Sequence, residues 1–158
     1  MCFCFVFGAQ AQITKIDTYS NKIKGLSAAQ KDGLDLLFFG SVPKIFISEQ
    51  GKSIMLWTEK GSVKTVELNY KQIQQLKDES LSISYKSVEV ISVTLEKGKS
   101  LELDESYISN FPNLKYLLIN CPGKLTNDDV KSLLGNLTSS SSVSKDLEVI
   151  LNETSTSS

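Results

Sequence analysis

One pattern of apolar residues recurs along the second half of the chain and constrains the fold more than any other feature. The segments that start at Val63, Val88 and Leu114 each carry aliphatic residues at their first, fourth and sixth positions. Leu147 starts a fourth copy, which fits the first two positions but has Asn152 at the third. The first three copies start about 25 residues apart, and helix-like sequence separates consecutive copies. A repeated strand followed by a helix predicts an α/β or α+β fold.

Polar residues that favour helix starts follow each of the first three strand copies. Asn69 and Gln72 are spaced as a capping box before an apolar helix face, and Asp104 can cap a short helix after the second copy. Thr126 or Asn127 can cap the most regular helix, whose apolar residues recur with helical spacing at Val130, Leu133, Leu134 and Leu137. These signals place a helical segment after each of the first three strands.

The strand-and-helix unit resembles the leucine-rich repeat, whose strand motif is L-x-x-L-x-L and whose period is about 20–29 residues. The segment 111–119, FPNLKYLLI, is the nearest match, and the resemblance covers residues 63–152. It implies a short, irregular sheet of parallel strands with helices on one face. A non-repeat α+β domain, in which strands and helices alternate without a common repeat, is the alternative that these residues leave open.

Two elements are predicted before the repeats. Ser27 and Gln30 form a capping box, and a helix over residues 28–39 is expected to end at Gly40. Apolar runs at 44–48 and 53–58, separated by a turn containing Gly51, predict a β-hairpin.

The last two strands carry apolar residues on both faces, which is typical of a sheet covered on both sides. Either another element of the chain, such as the helix at 28–39, covers that end of the sheet, or a partner protein does. An open apolar face of this kind would mark an interface, and self-association is its simplest form. The candidate binding face consists of Val90, Tyr116, Leu118, Val149 and Leu151.

The amino-terminal residues predict export. Residues 2–7 are wholly apolar and Ala9-Gln10-Ala11 provides small residues at a signal-peptidase site, so residues 1–11 are interpreted as a secretory signal peptide. Because no basic residue precedes the apolar run, we expect the signal to be truncated at its start. The interpretation places the protein outside the cell or in the periplasm of a bacterial envelope, with residues 12–151 as one domain and 152–158 as a disordered tail.

Composition narrows the classes of function. The chain has no histidine, and all 17 basic residues are lysine, which removes Ser-His and Cys-His nucleophile pairs, histidine-bound metals and arginine clamps on phosphate. A net charge of −1 with alternating signs argues against nucleic acid as a partner. Cys121 follows an apolar run and is expected in the core. We therefore expect no cofactor, no metal and no membrane-spanning segment in the mature chain.

These observations favour a non-enzymatic protein-interaction or scaffold domain. The alternative is a carboxylate-based hydrolase acting on envelope polysaccharide, which requires two convergent carboxyl groups of different pKa. The candidate acids are the adjacent pairs Asp104/Glu105 and Asp128/Asp129. Each pair starts a predicted helix, where capping also explains an acidic residue.

Overall fold

Seven strands form one sheet, in which every neighbouring pair is parallel except the β2–β3 hairpin. The computed structural model describes residues 15–56, 61–101, 103–138 and 147–154. The strand order is β1-β7-β6-β5-β4-β2-β3. The predicted α/β class is confirmed. The strands are β1 (Lys15–Thr18), β2 (Lys44–Ile47), β3 (Ser53–Leu56), β4 (Thr65–Asn69), β5 (Val90–Thr94), β6 (Tyr116–Pro122) and β7 (Glu148–Thr154).

Helical segments connect the strands largely as the capping signals predict. Ser27 and Gln30 form the capping box of α2, and Thr126 and Asp129 bond reciprocally at the start of α5. Asn69 caps a 3-10 helix rather than an α-helix. The α-helices are α1 (Tyr19–Lys24), α2 (Ala28–Phe39), α3 (Ser82–Tyr85), α4 (Glu105–Ile108) and α5 (Asn127–Thr138), and the 3-10 helices are Tyr70–Lys77 and Glu79–Leu81.

The first three copies of the apolar pattern lie in register. Val66 pairs with Ile91, and Ile91 pairs with Leu117, so the fourth position of each copy falls in one row across β4, β5 and β6. The fourth copy departs from this register, because Val149 and not Ile150 pairs with Leu117. The strands of all four copies nevertheless lie side by side in one parallel sheet.

The larger core lies on one face of the sheet, which we call the back face and define by Ile91, Leu117 and Val149. The segments that connect β4, β5, β6 and β7 all pack there and bury their apolar residues against the strands. Buried contributors from these segments include Ile73, Leu76, Tyr85, Ile108, Leu133 and Leu134. Cys121 belongs to the same core, as its sequence context predicts.

A second layer covers part of the opposite face, which we call the front face and define by Val90, Leu118 and Ile150. Helices α1 and α2 connect β1 to β2 and pack here, so the sheet carries helices on both faces rather than on one. Thr65 Oγ1 on β4 donates a hydrogen bond of 3.2 Å to the backbone oxygen of Leu37 and ties the end of α2 to the sheet.

The carboxyl terminus of the described chain also differs from expectation. Strand β7 extends to Thr154, three residues into the segment predicted as a disordered tail, because residues 152–154 pair with the end of β6. The predicted signal peptide at 1–11 and residues 155–158 lie outside the described residues. No helix of the described chain is both long and apolar enough to cross a membrane.

Candidate functional site

The five residues of the predicted binding face do not share one face of the sheet. Val90, Tyr116 and Leu118 lie on the front face, whereas Val149 and Leu151 lie in the back-face core. The prediction was wrong for these two residues because it aligned the fourth copy of the pattern with the other three. Leu147, Val149 and Leu151 instead alternate along one strand and face the connecting helices together, as side chains two residues apart must do.

The front-face members of that set are covered by the chain itself. Val90 and Leu118 are fully buried, and with Ile150 they contact Leu34 and Phe38 of α2. Of the two coverings that the sequence left open, the helix at residues 28–39 is the one present. This apolar face is therefore part of the core and presents no open binding patch.

The front-face layer stops short of one end of the sheet and leaves a cleft of about 340 Å3, which we call the front cleft. It lies toward the carboxyl ends of β2, β4, β5 and β6, the end of a parallel sheet where ligands commonly bind. The side of the cleft nearest the helices is formed by Phe38 and Phe39, and the side nearest the hairpin by Phe46. Between them lie Glu67, Asn69, Ser92, Thr94 and Asn120, with Glu49 at the rim.

Hydrogen-bonded polar side chains form the floor of the front cleft. Asn120 Nδ2 donates to Ser92 Oγ at 2.9 Å, and Asn152 Nδ2 donates to Asn120 Oδ1 at 2.7 Å. An amide side chain has two donor hydrogens and two acceptor positions, so these contacts leave one of each at Asn120. Thr94 is exposed beside this chain. The floor can therefore both donate and accept hydrogen bonds.

Two phenylalanine rings are exposed at opposite sides of the cleft. The side chain of Phe39 is 48% exposed and that of Phe46 is 40% exposed. Phe39 is held by edge-to-face packing on Tyr19 and Phe38, with ring centroids 5.1 and 5.9 Å apart. The rings therefore offer apolar surface in fixed positions next to a polar floor.

The charged groups of the cleft are acidic and partly neutralised. Lys44 Nζ donates to Glu67 Oε1 at 2.6 Å, so the charge of Glu67 in the cleft is paired with a lysine. Glu49 lies exposed at the rim. Neither feature favours an anionic ligand.

A second exposed surface lies at the edge of the sheet. Strand β3 pairs with β2 on one side only within the described sheet. Its central residues point to opposite faces, and Ile54 and Met55 are 46% and 40% exposed. Ile54 pairs directly with Phe46 across the hairpin. Apolar side chains are therefore exposed on both faces of an open strand.

One acid of each pair proposed for hydrolysis forms hydrogen bonds at the start of a helix. Asp104 accepts hydrogen bonds from Ser106, and Asp129 accepts from Thr126. Both sets of bonds hold the pKa of the carboxyl group below its usual value. A carboxylic acid that donates a proton in hydrolysis needs the opposite shift.

Cys121 lines a separate cavity of about 290 Å3 between the ends of β5 and β6 and the start of α5. The thiol is buried, and burial raises its pKa. Because the thiolate is the nucleophilic form, this environment suits a core residue rather than a reactive one. Within the described ranges, no three acidic or cysteine side chains gather as a metal site would require.

Comparison of the chain with protein-family models, with curated proteins and with solved structures gives no match.

Proposed function

We propose that the chain is a secreted or periplasmic, non-enzymatic protein-interaction domain whose interaction surface is the β3 edge. The observation that supports this proposal most directly is the exposure of Ile54 and Met55 on an edge strand. Phe46 adds a third exposed apolar side chain beside them. The interaction surface proposed here is therefore the hairpin, and not the middle of the sheet as we expected from the sequence.

An edge strand presents unpaired backbone groups, and natural proteins block such edges with charged residues, proline or a covering element. Strand β3 reads Ser-Ile-Met-Leu and contains neither a charge nor a proline. Its backbone groups can pair with an added strand, while its exposed side chains provide apolar area on both faces of the extended sheet. An unblocked apolar edge is what a strand-pairing interface requires.

A second copy of the same chain is the partner that the geometry accommodates most simply. Two β3 strands can pair antiparallel about a two-fold axis, and the contact then closes as a dimer instead of growing into a fibre. Ile54 and Met55 of each copy would then lie against the other copy's edge. We therefore propose that the domain acts as a scaffold by joining two sheets into one.

The non-enzymatic part of the proposal rests on the roles that the candidate acids already have. Asp104 and Asp129 bind backbone amides at helix starts and have a lowered pKa, which opposes proton donation. Export is supported by the apolar run and the small residues within 1–11. If the protein is exported from a bacterial cell, mass spectrometry should find a mature chain starting at Gln12, and one that starts before Ala9 contradicts the export proposal.

The interface can be tested by sedimentation velocity at protein concentrations up to about 1 mM, which would detect association with a Kd at or below that value. We expect a dimer for the natural chain and a monomer for Ile54→Lys and for Met55→Lys, because an edge lysine opposes strand pairing. The matched control is Ile83→Lys on α3, a helix in the connection between β4 and β5, where the natural side chain is 81% exposed. A monomer at every concentration, or equal loss of the dimer in the control, contradicts the interface.

A further inference from the structure

We propose that the front cleft is a binding site for a neutral saccharide. This inference does not rest on association at β3, because the cleft is built from α2, β2, β4, β5 and β6 and shares only Phe46 with the proposed interaction surface. Its volume of about 340 Å3 falls within the range of about 300–1,000 Å3 that small-molecule sites occupy. A saccharide presents hydroxyl groups around its ring and apolar C–H groups on the ring faces, and the cleft offers a complement to both.

The floor supplies the hydrogen-bonding half of that complement. Asn120 retains a donor and an acceptor after its bonds to Ser92 and Asn152, and Thr94 adds a hydroxyl group that can donate or accept. A sugar hydroxyl is likewise both donor and acceptor, so either polarity can be satisfied. The bonds from Asn152 and to Ser92 hold the Asn120 amide in place before a ligand arrives, which lowers the ordering cost of binding.

The aromatic rings supply the apolar half. Phe39 and Phe46 expose large parts of their side chains on either side of the polar floor. A ring face with negative partial charge attracts the C–H groups of an apolar ligand surface. Because Phe39 packs edge-to-face on Tyr19 and Phe38, its exposed surface is fixed and does not need to be ordered on binding.

The electrostatics of the cleft select among polar ligands. Glu67 is neutralised by Lys44, and Glu49 adds negative charge at the rim. A phosphate or carboxylate ligand would meet carboxylates and no unpaired cation among the residues that line the cleft. Aromatic rings beside an acid can also hold a quaternary ammonium group. The amide and hydroxyl floor favours the saccharide, since an ammonium without N–H groups makes no hydrogen bonds to it.

Nuclear magnetic resonance of the full, isotope-labelled chain can test the proposal. The probes are three neutral trisaccharides, built from glucose, from mannose and from N-acetylglucosamine, together with tetramethylammonium and inorganic phosphate as separate titrants. We expect at least one trisaccharide to produce saturable shifts of the Asn120 side-chain amide and the Thr94 backbone amide. Phosphate should leave both resonances unchanged.

Phe39→Leu is the decisive variant because it keeps apolar volume against Tyr19 and Phe38 but removes the ring face. We expect it to weaken trisaccharide binding by roughly two- to tenfold, the range for loss of one aromatic contact. Ile83→Ala on α3 is exposed and distant from the cleft, so its affinity should equal that of the natural chain. Asn120→Ala should weaken binding independently of the ring, and its unchanged amide spectrum elsewhere would show that the fold is intact.

Three results would overturn the proposal. Saturable shifts with tetramethylammonium and none with any trisaccharide would reassign the cleft to a quaternary ammonium ligand. Trisaccharide shifts confined to residues outside the cleft would place binding elsewhere. The absence of saturable shifts with all three trisaccharides would remove the site, whether or not the chain forms a dimer through β3.

Discussion

Two consecutive leucines on β6 allow the two layers of the fold to be weakened separately. Leu117 lies in the back-face core and Leu118 in the front-face core, and both are fully buried. Both are leucines of the same strand, so Leu→Ala removes the same atoms at each position. We predict that Leu118→Ala opens the α1–α2 layer locally, whereas Leu117→Ala destabilises the whole domain.

The magnitude follows from the size of each core. Leu→Ala removes three buried carbon atoms, whose burial contributes about 2.4 kcal/mol to the free energy of folding. The cavity left behind raises the total cost to about 3–4 kcal/mol. On the front face, α2 buries only Leu34 and Phe38 fully, a gross stabilisation of about 3–6 kcal/mol before the entropy of ordering the helix. Removing Leu118 therefore eliminates most of the free energy that holds α2 on the sheet. Removing Leu117 lowers the stability of the larger back-face core by an equal amount, but that core still unfolds as one cooperative unit.

Native-state hydrogen exchange distinguishes these outcomes residue by residue, because local openings and global unfolding expose different sets of amides. In Leu118→Ala, a loss of 3–4 kcal/mol should lower the protection of the amides in the second half of α2 by roughly 100- to 700-fold, since each 1.4 kcal/mol corresponds to a factor of ten. Protection in β5 and β6 should fall much less. In Leu117→Ala, the most protected amides of α2 and of the sheet should lose protection together, and urea unfolding should give the same 3–4 kcal/mol decrease.

Uniform loss of protection in Leu118→Ala would refute this reasoning. It would mean that α1 and α2 unfold only together with the sheet, so that the front-face layer is not a separately weakened unit. An intact α2 with unchanged protection would equally contradict the burial of Leu118 beneath it.

Three further predictions concern single groups. Ser27→Ala should remove one half of the α2 capping box and lower the free energy of unfolding by about 1 kcal/mol in a urea titration. Bonds from Lys115 and Lys64 lower the pKa of Glu89 in the folded state. Ionised Glu89 therefore stabilises the folded chain by no more than about 1 kcal/mol at pH values above its ordinary pKa of 4.5. This contribution should disappear as the pH falls through the lower pKa of the folded state. Glu89→Gln should reduce the acid-side slope by the share of Glu89 in unfolding curves measured between neutral pH and pH of about 3, while Asp104 and Asp129, whose pKa is also lowered, keep theirs. Cys121 should react with a thiol reagent at neutral pH only at the rate of unfolding, because burial shields the thiol and raises its pKa.

The spacing of aliphatic residues predicted three strands, whereas their parallel pairing and register, which the sequence left open, come from the structure. Val66, Ile91 and Leu117 occupy equivalent positions in the pattern and lie in one row of the sheet. The capping box at Ser27 was equally readable, and Thr126, one of the two caps that the sequence offered for α5, is the residue that caps it, because such bonds depend on residues three positions apart in one chain segment. Local signals of this kind need no knowledge of the rest of the fold.

The fourth strand shows where such reasoning fails. Leu147, Val149, Ile150 and Leu151 are all apolar, so the pattern fits in more than one register and the sequence does not decide which side chain faces which layer. A shift of one residue moves every side chain of a strand to the opposite face. In the folded chain, pairing of Val149 with both Leu117 and Ile16 of β1 sets the register. The contribution of β1, some 130 residues away in sequence, was not detectable from the repeat.

The boundary between the covered and the open part of the front face follows from which front-face residues of the strands are apolar and which are polar. Along β5, β6 and β7, Val90, Leu118 and Ile150 are buried under α2, whereas Thr94, Asn120 and Asn152, two to four residues further on, are polar and only partly buried or exposed. A helix laid over that polar row would have to bury amides, at a cost of about 1–3 kcal/mol for each group left unpaired. The strands therefore limit how far α1 and α2 can extend over the sheet. The front cleft follows from this limit, and any ligand that occupies it must satisfy the polar row that the protein's own helices avoid.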